Sequence, residues 1–324
     1  MRAVIVGVAH WHAPIYAQVL GELGVPIVGA SDLDAEAGAA SAARLGVPFS
    51  AEAAALLQRE RPDIAFVLPR HDRAMAELRP VLDQRLPFLI EKPMGRNGSE
   101  AQALARAVGD TGVFAASALA NREVEIWGRV AALRAAGQLG TVMHAHFRVV
   151  NGPPGRYPAW GVAWMLEPAI SGGGALRNLG FHGVDAALSV AAGRGLIVRG
   201  AAVSYGAYRL PVEEFATALL CVPDGPAITV EAGYSYAADG GDFEWRIAAT
   251  GAYLKQTRDR FEMRLADGSL EAVQTPAPSY LPLVRETLRR LQAGMPPPAS
   301  VGDCAAAAQV IDRIYAAATK GDMP

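Results

Sequence analysis

Through its first third the chain alternates short apolar runs rich in β-branched residues with longer stretches whose apolar positions recur at helical spacing. The runs at 3–6, 26–30, 63–68, 87–90 and 113–116 predict strands. The stretches 13–23, 34–45, 51–59, 73–84 and 99–108 predict helices between them, with Gly24, Gly46 and Gly109 as stop signals. Such alternation is the pattern of βαβ units with right-handed crossovers, so a doubly wound parallel sheet is expected. From about residue 119 the pattern changes. A helix over 123–136 halts at Gly137, and strands at 142–150, 197–208, 215–221, 227–236, 243–249 and 261–265 then follow without regular helices between them. Pro223-Asp224-Gly225, Asp239-Gly240-Gly241 and Ala266-Asp267-Gly268 read as hairpin turns, predicting a large, mostly antiparallel open sheet. The Gly/Pro-rich stretch 151–174 is one long loop, and long loops in compact domains tend to carry function. Helices at 281–293 and 303–318 finish the chain. The expected fold class is therefore α/β: a nucleotide-binding domain over 1–118 and an α+β domain over 119–324, the C-terminal helix packing back on the first domain.

Composition narrows the class. With 324 residues, 51% of them hydrophobic, the chain can bury the cores of two domains. Thirty basic residues against thirty-two acidic ones, with no run of like charge, argue against a nucleic-acid partner. No stretch has the length of a membrane span and the N-terminal apolar run is too short for a secretory signal, so a cytoplasmic protein without a membrane partner is expected. Cys221 and Cys304 read as two buried thiols. Lysine occurs only at 92, 255 and 320. Unlike arginine, lysine can have its pKa lowered far enough to exchange protons near neutrality, which draws attention to Lys92.

Candidate chemistry gathers at the ends of the first strands. Gly7-Val8-Ala9-His10-Trp11-His12 stands where a G-x-G-x-x-G loop would cradle a dinucleotide. Only Gly7 of the three glycines is present, Ala9 placing a methyl group near the pyrophosphate and His12 replacing the glycine of close helix packing. Asp32, at the end of the second strand, suits ribose hydroxyls and repels a 2′-phosphate, favouring NAD over NADP; it could instead cap the next helix. His10 and His12 lack a third ligand and sit at a helix start that favours anions, so no metal is expected. Glu91-Lys92-Pro93 directly follows a predicted strand, which places Lys92 in the crevice at the carboxyl end of the sheet. Farther on, Gly172-Gly173-Gly174-Ala175-Leu176-Arg177-Asn178-Leu179-Gly180-Phe181-His182-Gly183-Val184-Asp185 spaces Asn178 and His182 by four, on one helix face.

On these residues the chain resembles the glucose-fructose oxidoreductase / inositol dehydrogenase (Gfo/Idh/MocA) family, whose hallmarks are E-K-P after a Rossmann strand and G-G-G-x-L-x-D-x-G-x-H-x-x-D in the second domain. The likeness extends over essentially the whole chain, through Leu68-Pro69-Arg70-His71, Asn121-Arg122, Gly137-Gln138-Leu139-Gly140 and a terminal helix closing near Gly321. It implies an NAD-dependent dehydrogenase or reductase that exchanges hydride between nicotinamide and a hydroxyl or carbonyl carbon of a sugar, cyclitol or related polyol. Lys92 would hydrogen-bond the reacting oxygen, His182 would exchange its proton, and Asn178 would orient them. Gly7, Val8, Ala9, His10, Trp11, His12, Asp32, Leu68, Pro69, His71, Glu91 and Lys92 would hold the cofactor, with Glu91 near the nicotinamide ribose. Asn121, Arg122, Trp164, His182 and Tyr280 would meet the substrate.

Two departures from the family pattern matter, the eroded glycine loop 7–12 and Asn178, with Arg73 a smaller one. Asn178 replaces the family aspartate, and an amide cannot favour protonated His182 or Lys92 as a carboxylate would. Arg73 stands where many relatives carry a second histidine. The alternative reading is a family member that binds nicotinamide without net redox turnover, such as a cofactor-dependent glycosidase or a sugar-sensing regulator. His144 and His146 alternate on one strand face and line either the pocket or a solvated surface. A homo-oligomer, dimer or tetramer, is expected through the C-terminal sheet, one face of which is not obviously covered.

Overall fold

Ala3–Val6 (β1) is apolar at every position and fully buried, as befits a strand covered on both faces. In the computed structural model, which describes residues 1–320, it lies inside a five-stranded sheet with Ile27–Ser31 (β2), Ile64–Val67 (β3), Phe88–Ile90 (β4) and Ala115–Ser117 (β5). The order is β2-β1-β3-β4-β5 and every pairing is parallel. Helices Ala13–Glu22 (α1), Ala35–Leu45 (α2), Ala53–Glu60 (α3), Ala74–Asp83 (α4) and Gly98–Gly109 (α5) make the connections. Asp34 caps α2 by accepting the Ala37 N–H, and Gly46 ends it in the left-handed conformation. The strand order reverses between β1 and β3, so the loops after them open the crevice in which this fold binds ligands.

Glu125–Ala135 (α6) leads into the second sheet. Its strands are Val142–Asn151 (β6), Ile197–Ser204 (β7), Phe215–Cys221 (β8), Ala227–Gly233 (β9), Gly241–Ala249 (β10), Ala252–Thr257 (β11), Arg260–Leu265 (β12), Leu270–Gln274 (β13) and Ala318–Lys320 (β14). The order is β13-β12-β11-β10-β6-β9-β8-β7-β14. Only the β6–β9 and β7–β14 pairs are parallel, so the mostly antiparallel sheet is as expected. Three strands were not anticipated, among them β14, which begins at Ala318 where the terminal helix was expected to end. β13 is an edge strand with no buried position, and β11 follows β10 after a two-residue turn that carries no strand-breaking punctuation beyond Gly251. The strands expected over 197–208 and 227–236 stop earlier, at Ser204 and Gly233.

The long loop after β6 contains two short helices, Arg156–Ala159 (α7) and Pro168–Ser171 (α8). The triple glycine then leads through a π-helical turn, Leu176–Gly180, into Phe181–Ala191 (α9). Its glycines are required by close approach. A Cβ at Gly172 would lie 1.9 Å from the Arg96 carbonyl oxygen, and one at Gly174 would lie 2.1 Å from that of Glu213. The turn bearing Asn178 is thereby pressed against the segment that follows Lys92. Tyr280–Gln292 (α10) and Val301–Ala317 (α11) complete the described helices, and Gly321 lies outside the described residues. The α11 helix packs on α5, where Asp312 accepts the Gly98 N–H at 2.7 Å. Helices α9 and α11 cover one face of the second sheet. The other face carries His144, His146, Arg148, Glu231, Glu244 and Arg246 around an open depression. No helix among the described residues is long and apolar enough to cross a membrane.

Candidate active site

Lys92 leaves the end of β4 and is only 6% exposed. Its ammonium donates to the Asn178 backbone oxygen at 2.8 Å and to the Asn178 side-chain oxygen at 3.1 Å. An ammonium has three protons and no acceptor, so one proton remains after these two bonds. Burial lowers the Lys92 pKa, the charge of Glu91 opposing it. His182, one turn beyond Asn178, is pushed down to about 3 by burial, with the charge of Lys92 adding to the effect, so its imidazole is neutral near pH 7. Its Nδ1 is buried without a hydrogen-bond partner. The Asn178 amide nitrogen donates to the Tyr157 hydroxyl oxygen at 2.6 Å.

These side chains wall a cavity of about 270 Å³ that Trp11, His12, Asn121, Trp160, Phe243, Arg258 and Tyr280 help to enclose. This is just below the range for ligand pockets, about 300–1,000 Å³. Beneath it lies a buried chain of polar groups. Glu91 is 1% exposed, and its Oε1 accepts the Tyr16 hydroxyl at 2.9 Å and lies 2.9 Å from His12 Nδ1, which is 3.0 Å from the Tyr280 hydroxyl. Burial alone would push the Glu91 carboxyl up. The charge and hydrogen bond of His12, together with the charges of His10 and Lys92, outweigh burial and hold it at about 2, so it is ionised.

The loop 7–12 has space on both sides. A small cavity beside Asp32 is lined by Ala9, His10, Leu68, Arg70, Arg73 and Glu77. A larger one, about 790 Å³, runs past Val8, Ala9, Trp11, Ser41 and Arg44. Gly7 has φ +82°, and a Cβ there would lie 2.2 Å from the Leu68 carbonyl oxygen and 2.4 Å from Glu77 Oε2. The one surviving glycine of the loop is thus the one that cannot be replaced without moving backbone. Asp32 accepts the N–H groups of Ala9 at 2.8 Å and Asp34 at 2.9 Å, and Asp34 is the residue that caps α2. Each Asp32 oxygen keeps a lone pair for a ribose hydroxyl. A dinucleotide therefore fits the residues present, with Asp32 at one end of the groove and Lys92 at the other.

Other expected site residues are placed differently. Arg122 is absent from the cavity lining. It forks onto Asp185 at 2.6 and 2.9 Å and reaches Asp303 at 3.2 Å, tying the segment before α6 to α9 and α11. Trp164 lines the Asp32 cavity rather than the Lys92 cavity and meets the His71 ring edge to face at 5.0 Å. His71 is buried with Nδ1 2.8 Å from the Ser171 carbonyl oxygen, fastening the long loop to the first sheet, and Pro69 lines none of these cavities. His10 is buried and stacks on Trp11 at 3.8 Å. His144 and His146 lie on the outer face of the second sheet. Sequence reading missed Tyr157, Phe243, Arg258 and Glu77. The length of the 151–174 loop was the one signal that pointed toward Tyr157.

Two profiles match this architecture. "Oxidoreductase family, NAD-binding Rossmann fold" covers residues 1–118, and "GFO/IDH/MocA C-terminal domain" covers residues 127–255. The chain belongs to the Gfo/Idh/MocA oxidoreductase family. Comparison with curated proteins finds no match. Among solved structures, the chain is similar to an oxidoreductase from Agrobacterium radiobacter in complex with NAD+, L-tartaric acid and magnesium, at 17% identity and a TM-score of 0.84 over 98% of this chain and 96% of that one. A levoglucosan dehydrogenase in complex with NADH and L-sorbose gives 15% identity and 0.83 over 98% and 96%. A 3-ketoreductase from Actinomadura kijaniata in complex with NADP and TDP-benzene gives 19% and 0.80 over 100% and 99%. At these identities the likeness is one of fold, and the Gfo/Idh/MocA assignment rests on the two profiles.

Proposed function

We propose that this Gfo/Idh/MocA protein is a dehydrogenase or reductase of a sugar, cyclitol or related polyol. The observation that carries the reading is the convergence of Lys92 with Asn178 and His182 on one cavity, two of the three Lys92 protons being held so that the third is free to meet a substrate oxygen. The nicotinamide, when bound, supplies or takes the hydride. Lys92 donates to the reacting oxygen and stabilises charge on it, and neutral His182 takes the hydroxyl proton in the oxidative direction. Asn178 positions Lys92. Asp32 supports NAD over NADP, since a 2′-phosphate would face its carboxylate. The solved neighbours with sugar-like ligands support the substrate class. We further propose a domain division near residue 118, a cytoplasmic location and a homo-oligomer formed through the outer face of the second sheet, where cationic and anionic side chains interleave.

The test is to mix purified protein with NAD, NADH and NADPH and follow reduced-nicotinamide absorbance against a panel of polyols and ketoses. Lys92→Ala and His182→Ala are each expected to lower kcat by about a hundredfold or more while the cofactor still binds. Turnover like wild type in either would overturn its assignment. A second reading, nicotinamide binding without net redox turnover, is favoured by the absence of a carboxylate beside His182. NAD binding with no redox change across the panel would select it.

A further inference from the structure

The amide of Asn178 creates a problem that the family's carboxylate does not have. A carboxylate offers two equivalent oxygens, whereas an amide offers one acceptor and one donor in nearly the same shape, and either orientation packs equally well. Facing Lys92 with its nitrogen, the amide would set N–H against an ammonium and lose the 3.1 Å bond. We infer that Tyr157 is a positioning residue: its hydroxyl oxygen accepts from the Asn178 amide nitrogen while Lys92, a donor only, takes the amide oxygen, so the two partners together fix the amide that Lys92 meets. The inference rests on the reading of Lys92 as the group that meets the reacting oxygen.

Tyr157 suits this task. It belongs to α7, is 2% exposed, and packs among Val162, Met165, Leu179 and Tyr234, whose ring it meets edge to face at 5.7 Å. The packing holds the ring without help from the hydroxyl, so Tyr157→Phe removes one oxygen and little else. Lys92 also keeps its 2.8 Å bond to the Asn178 backbone oxygen whichever way the amide faces. Loss of the hydroxyl therefore changes the acidity and aim of Lys92 rather than its place.

The chain has only three lysines, so lysine labelled with 13C at Cε gives a spectrum in which Lys92 is assigned by its loss in Lys92→Arg. In Tyr157→Phe the amide loses its 2.6 Å partner and keeps only Lys92 and the neighbouring Tyr234 hydroxyl, and the Lys92 titration is expected to fall by about one pH unit below that of wild type, with kcat down about tenfold and cofactor affinity unchanged. Asn178→Asp, which leaves Tyr157 in place, is expected to raise the titration by about one unit or more, and adding Tyr157→Phe to it should not lower it. An unaltered Lys92 titration in Tyr157→Phe, or the same fall in both backgrounds, would overturn the inference. So would an unaltered titration in Asn178→Asp, which is read even if Tyr157→Phe proves unstable. Full turnover in Lys92→Ala would instead sink the catalytic reading, while the titration still judges the amide orientation.

Discussion

Glu77 lies in α4 with a buried, unpartnered Oε2 directed at the tight turn of Gly7, and it lines the cavity beside Asp32. Burial, with the charge of Asp32 second, pushes its carboxyl up from 4.5 to about 8. Below pH 4.5 the group is neutral in the folded and the unfolded chain and contributes no difference. Between pH 4.5 and 8 the unfolded chain releases a proton that the folded chain keeps, so stability falls as pH rises through this window. Each pKa unit corresponds to about 1.4 kcal/mol, which sets a ceiling of about 3 kcal/mol at pH 7 and about 5 kcal/mol above pH 8. Glu77→Gln mimics the protonated acid and removes the titration. Thermal melts from pH 5 to pH 9 are expected to show nearly equal Tm at the acid end and a variant more stable by about 5 °C at pH 8. NAD affinity, read by titration of tryptophan fluorescence, should weaken above pH 8 in wild type but not in the variant, because ionised Glu77 adds a second charge beside Asp32. Parallel curves of Tm against pH for the two proteins would refute a neutral buried Glu77.

Gly7→Ala is expected to cost about 2–5 kcal/mol, from a left-handed alanine and from overlap with the Leu68 carbonyl, and to weaken NAD binding at least about tenfold; denaturant unfolding and cofactor titration check it. Arg122→Gln leaves buried Asp185 without its cation and should lower stability by about 3 kcal/mol, yet leave KM for substrate unchanged in the folded protein. A raised KM with intact stability would return Arg122 to the substrate site.

The readable parts of this protein are those encoded between near neighbours in the chain. The first sheet follows from runs such as Ala3–Val6, and the helices between its strands follow from helical spacing with glycine stops. The second sheet was legible in its type but not in its edges, because an edge strand such as β13 buries no residue and leaves no apolar pattern. Lys92 was legible because a strand end in a parallel sheet is a fixed place. Arg122 was misplaced because an arginine beside a cavity and an arginine paired with Asp185 look the same in one dimension.

By itself the sequence determined the strand and helix grammar, the tight turn at Gly7 and the emergence of Lys92 at the mouth of the first sheet. Period-two and helical repeats act over a few residues, so they survive in the linear order. Only the tertiary structure decided that Lys92 meets Asn178 across 86 positions, that Tyr157 holds that amide from a loop, and that Glu77 is sealed beneath the cofactor turn. Those relations are set by close packing between distant segments, and by the low dielectric that packing creates, neither of which has a local signature in the chain.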